Sequence, residues 1–157
     1  MKKIKLTLKQ REKLLCATID NTDDYKLANY KTWCKVLDVH DGDTIIVGMY
    51  IDGKIKKINC RLSGIDCAEL ISTNDKEVKF AEKTRDKMKE IMMDDNVKWI
   101  HVIKTDKYGG RFVCNIYPNE CDDFCESYNN YLLTNGYAYA YDGKTKKKRF
   151  EDWYVEK

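Results

Sequence analysis

Between Thr44 and Leu62 the chain reads TIIVGMYIDGKIKKINCRL, and this stretch decides the fold class. Thr44-Ile45-Ile46-Val47 is β-branched, as strands favour. Asp52-Gly53 then separates Met49-Tyr50-Ile51 from the run that starts at Ile55, the strongest short hairpin signal in the sequence. Beyond the turn, Ile58, Cys60 and Leu62 point one way, and Asn59, Arg61 and Ser63 point the other. Upstream, Thr32 to Val39 roughly alternates apolar and polar residues and reads as a preceding strand.

Working outward, Val78, Ala81, Met88 and Ile91-Met92 fall near a 3.6-residue period, with Arg85 as the polar member of the stripe, so a helix follows the third strand. A second hairpin runs from Val97 to Ile103 and from Phe112 to Tyr117 across a polar loop. Asp122 or Asp123 can cap a helix towards Leu133, closed by Gly136, and a last short helix ends near Trp153. Three strands, a helix, two strands and trailing helices predict a mainly β, α+β domain: a five-stranded OB-fold barrel with about three packed helices, a form that commonly binds nucleic acid. Residues 1–29 read as an N-terminal arm outside that core, with a short helix from Thr7 to Cys16, and residues 30–157 as the domain.

The length of 157 residues fits one domain. Hydrophobic residues at 43%, a single proline and eight glycines exclude collagen-like and Pro/Gly-rich disordered classes. No run approaches the roughly 20 apolar residues of a membrane helix, and the basic start is too charged for a signal-peptide core. The expectation is an intracellular monomer that does not engage a membrane. A net charge of +3 excludes a binder held by bulk charge while permitting a local basic groove. The seven cysteines, an odd number with no C-x-x-C pair, read as reduced and buried thiols, not as a disulfide framework or a zinc site.

Three segments hold the chemistry-bearing side chains. Asp41-Gly42-Asp43-Thr44 opens the second strand, Arg61-Leu62-Ser63-Gly64-Ile65-Asp66-Cys67-Ala68-Glu69 leaves the third, and Thr105-Asp106-Lys107-Tyr108-Gly109-Gly110-Arg111 forms the later loop. Singly they read as turn formers and solvated surface residues. Jointly they supply the parts for metal-assisted attack on a phosphodiester. Arginine forks neutralise phosphate oxygens at any biological pH. Aspartate oxygens suit a hard cation, and a further carboxylate can orient water and accept its proton.

In this order and approximate spacing, the segments resemble the staphylococcal nuclease (thermonuclease-like) family, whose pattern reads D-G-D-T, R-L-x-G-I-D-x-P-E and D-K-Y-G-R. The resemblance covers about Val36 to Trp153. It implies that Asp43, Asp66 and the main-chain carbonyl of Cys67 bind Ca²⁺, with Asp41 in support. It implies that Arg61 and Arg111 clamp phosphate and that Glu69 activates or positions water. Lys107 and Tyr108 correspond to contacts with the terminal phosphate and sugar, with Tyr141 on the other side of that pocket. The implied activity is cleavage of single-stranded or unpaired DNA and RNA at the 5′ P–O bond, leaving 3′-phosphates. The alternative is a catalytically weak or inactive OB-fold module that binds nucleic acid or a protein partner.

The chain departs from the family pattern at three places. Ala68 stands where the family has proline, so the turn towards Glu69 loses a fixed φ. Cys67 replaces a commoner Thr or Ala. Gly109-Gly110 adds a residue before Arg111, which a bulge can absorb and which a slipped strand would turn away from the phosphate. Tyr137, Tyr139 and Tyr141 alternate at strand-like spacing and suit packing as well as base stacking. The basic run from Lys144 to Arg149 reads as a solvated helix face.

Overall fold

The computed structural model describes residues 7–18, 20, 27–106, 110–144 and 148–155. Five strands close into a barrel in the order β1-β2-β3-β6-β5: β1 (Tyr30–Val39), β2 (Thr44–Ile51), β3 (Lys54–Leu62), β5 (Lys98–Thr105) and β6 (Arg111–Tyr117). All barrel pairs are antiparallel except β3 with β6, which run parallel, and the architecture is that of an α+β OB-fold. A separate antiparallel pair, β4 (Ile65–Cys67) with β7 (Ala138–Ala140), lies outside the barrel order.

The first hairpin follows its turn chemistry. Asp52 and Gly53 both take positive φ, 52° and 73°, so β2 and β3 pair without a break from Thr44↔Arg61 to Ile51↔Lys54. Their inward residues Ile45, Val47, Met49, Cys60 and Leu62 join Val36, Val39, Ile100, Val102, Cys114 and Ile116 in one buried core. Leu27, upstream of β1, is also buried in that core. All seven cysteines are free thiols, of which Cys34, Cys60, Cys67 and Cys114 are buried while Cys16 and Cys125 are exposed.

Helix α1 (Leu8–Leu15) starts at a capping box between Thr7 and Gln10 and buries none of its residues. Helix α2 (Asp75–Met92) starts at Asn74, whose side chain accepts from the main chain of Lys76 and Glu77. It buries Ala81, Thr84, Met88 and Met92. The polar residue on the inner face is therefore Thr84 and not the expected Arg85, which turns outward to Asp86. Burial is tolerated because Thr84 Oγ1 donates to the Phe80 carbonyl at 2.9 Å.

The helix expected from Asp122 or Asp123 is split. Asp123 caps a 3₁₀ turn at Phe124–Glu126, and Ser127 then breaks the helix with extended backbone and caps α3 (Tyr128–Thr134) by accepting from Asn130 N. A second 3₁₀ turn at Phe150–Asp152 replaces the last short helix. In the second hairpin the register shift falls on β5 between Val102 and Lys104, while Gly110 takes φ 72° and Gly109 lies outside the described residues. Among the described residues, no helix is long and apolar enough to cross a membrane.

Candidate active site

The turn before β2 is built first. His40 N and Asp41 N both donate to the Thr44 carbonyl, and Asp43 N donates to Asp41 Oδ1 at 3.1 Å. Gly42 sits against α2 and β4: a Cβ there would stand 2.7 Å from Thr84 Cγ2 and 2.8 Å from Cys67 Sγ. No other residue fits without displacement. The β2–β3 register then places Arg61 opposite Thr44, beside Asp43.

Arg61 makes two ion pairs. Its Nη1 donates to Asp43 Oδ1 at 2.9 Å, and its Nη2 donates to Asp66 Oδ1. Asp43 and Asp66 are 4% and 2% exposed, so one guanidinium bridges two buried carboxylates. Burial first, then Asp41 and Asp66, push the Asp43 carboxyl up to about 8 even though Arg61 pulls it down. Burial works against the Arg61 charge, but Asp43, Asp66 and Asp41 outweigh it and raise its pKa. The Cys67 thiol is pushed well up by burial and by the same three carboxylates, which holds it protonated.

A cavity of about 620 Å³ opens over this cluster, lined by Asp41, Asp43, Arg61, Cys67, Glu69, Arg111 and Tyr141 among others. Asp66 stands behind it. Arg111 leaves the start of β6 and is held to Asp106 through Nε at 3.2 Å and Nη2 at 2.9 Å. The lengthened loop has therefore not turned Arg111 away. Glu69 is exposed at the rim, with its main-chain N–H on Glu77 Oε1 of α2 at 3.3 Å. Ala68, in place of proline, is buried at 3% exposure. Lys107 and Tyr108 lie outside the described residues, as do residues 145–147 of the basic run.

Among the described residues, no group of three or more His, Cys, Asp and Glu side chains is arranged to hold a metal ion. The donor set still fits a hard cation. Two buried carboxylates converge on Arg61 and a third stands beside them, so oxygen donors of the kind a hard cation takes meet at one place. Such a cation would complete its shell with main-chain oxygen and water.

Two residues that support the site, Asp106 and Asn129, carry little signal in the sequence. Asp106 fixes Arg111, and its only signal is its place at the head of the loop motif. Asn129 of α3 is fully buried; its Nδ2 donates to the carbonyls of Ser63 at 3.0 Å and Cys114 at 3.1 Å, and its Oδ1 accepts from Ile116 N. It anchors the Ser63-Gly64 turn that carries the chain from Arg61 to Asp66. Nothing local in the sequence announces it.

An OB-type barrel whose rim gathers two arginines and several carboxylates defines a nuclease-like or nucleic-acid-interacting class of protein. The staphylococcal nuclease homologue family model matches residues 59–156, more than half of the chain, and the chain belongs to that family. The matched range starts within β3, so Asp41 and Asp43 precede it and are brought to the site by the β2–β3 pairing. No curated protein matches the chain.

Proposed function

We propose that this cavity is the active site of a calcium-dependent, sugar-non-specific nuclease that hydrolyses phosphodiester bonds in unpaired DNA and RNA. The observation that carries the reading is the convergence of Arg61, Arg111, Glu69 and the Asp41–Asp43 turn on one cavity, with Asp66 tied to Arg61 behind it. Asp43, Asp66 and the Cys67 carbonyl hold Ca²⁺, with Asp41 in support. When bound, the ion neutralises charge on the scissile phosphodiester. Arg61 and Arg111 donate to phosphate oxygens and stabilise the extra negative charge of the transition state. Glu69 orients the attacking water and accepts its proton. Lys107, Tyr108 and Tyr141 contact the terminal phosphate and sugar. The water oxygen bonds to phosphorus as the 5′ P–O bond breaks, which leaves a 3′-phosphate, and the departing 5′ oxygen takes a proton from solvent to become a 5′-hydroxyl.

One observation favours the second reading, a binding module without turnover. Arg61 already spends one N–H of each Nη on Asp43 and Asp66, which leaves only part of its fork to a phosphate. Digestion of single-stranded DNA in calcium, magnesium or excess chelator separates the two. The nuclease reading expects cleavage in calcium that chelator abolishes, and cleavage that persists in chelator contradicts it.

A further inference from the structure

Tyr139 has no part in the constellation above, yet it touches it directly. The β4–β7 pairing sets Tyr139 opposite Asp66, and the Tyr139 hydroxyl donates to Asp66 Oδ2 at 2.6 Å. The same hydroxyl accepts from Lys148 N at 3.1 Å. Its ring is buried at 7% exposure, 5.1 Å from the Trp153 ring, and Lys148 Nζ stands 5.5 Å from its centroid.

A carboxylate turns easily about its last torsion, because that rotation is broad and roughly two-fold. Arg61 holds one oxygen of Asp66 and Tyr139 holds the other. We propose that Tyr139 is a positioning residue, whose hydroxyl fixes Asp66 in its ligand orientation and ties the segment beginning at Lys148 to that carboxylate. The proposal rests on the reading of Asp66 as a cation ligand. Partners that orient metal ligands typically cost about 10–100-fold in metal affinity when lost.

The test is calcium binding to the full chain without nucleic acid, by calorimetry, for the native protein and Tyr139→Phe. The melting temperature in chelator is measured for both. The expected result is a calcium affinity about 10–100-fold weaker in the variant, measured at a temperature where both proteins are folded in chelator, alongside the lower chelator melting temperature that a lost buried hydrogen bond brings. A merely structural role lowers the melting temperature and leaves the affinity of the folded protein alone. Equal affinities overturn the proposal and leave the nuclease reading intact, whereas a native chain that binds no calcium overturns both. Should Tyr139→Phe fail to fold, 3-fluorotyrosine at position 139 keeps the phenol and reports by ¹⁹F resonance. A resonance that shifts with the calcium-binding midpoint supports the proposal, and one that stays fixed through saturation contradicts it.

Discussion

Arg61 Nη1 lies 2.9 Å from Asp43 Oδ1, and the same guanidinium also holds Asp66. Removing it with Arg61→Gln takes the ion-pair partner from the buried Asp43 and Asp66 carboxylates, a change typically worth about 3–5 kcal/mol. Urea unfolding in chelator should show that loss, and calcium should restore part of it by binding only the folded chain. Arg61→Lys keeps the charge but not the planar fork, so stability should fall less while cleavage drops on the order of a hundredfold or more. Arg111→Lys should lower cleavage similarly, and full activity there would remove Arg111 from the proposed machinery.

Gly42→Ala tests the turn that presents Asp43. The added methyl meets Thr84 Cγ2 at 2.7 Å and Cys67 Sγ at 2.8 Å, so the turn must move. A loss of about 1–3 kcal/mol is expected in chemical unfolding, as for overpacked interiors, with weaker calcium binding beside it. Native-like values in both measurements would show that the turn has slack.

Asn129→Ala should destabilise the domain by at least about 1–3 kcal/mol, because the Ser63 carbonyl and the Ile116 N–H lose a buried partner. The urea midpoint is the measurement. Asn129→Asp should not rescue it, since an ionised carboxylate offers no donor to the Ser63 and Cys114 carbonyls.

Acid stability should carry a signature of Asp94. The Lys98 ammonium, then the Asn96 amides, hold the Asp94 carboxyl down to about 2 from 3.8. A depressed folded-state pKa gives stability that is present above the unfolded value and lost as pH falls through the folded one. The native protein should therefore lose stability between about pH 4 and pH 2, and Asp94→Asn should flatten that limb in denaturation midpoints measured across it. At neutral pH Asp94→Asn should be the less stable protein. It leaves the Lys98 side chain, 4% exposed, without its carboxylate.

What the sequence reveals of this molecule is what is local. The Thr44–Leu62 hairpin is readable because Asp52-Gly53 dictates the turn and a two-residue period dictates the faces. Asp43 and Arg61 follow from it, since pairing across that turn makes them neighbours. The helical stripe fails at Arg85 because a threonine that bonds its own helix backbone passes for a polar surface residue. Ser127 interrupts the expected helix by capping a second one, and periodicity does not register that reset. Asp66 and Tyr139 meet across 73 residues through strands of three residues each, too short to carry a pattern. Asn129 likewise acts through main-chain groups 13 to 66 residues away.

Turnover in the cavity, as opposed to mere binding there, stands or falls with Glu69→Gln. The substitution keeps size and hydrogen-bonding capacity while removing the basic carboxylate from an exposed position on the rim. The measurement is the cleavage rate of a short single strand beside the affinity for a non-cleavable analogue, both at one salt concentration because phosphate binding is salt-sensitive. The nuclease account predicts a rate lower by about 10²–10⁴-fold at nearly constant affinity. A native protein that binds without cutting, with Glu69→Gln indistinguishable from it, would contradict the account and leave a binding module.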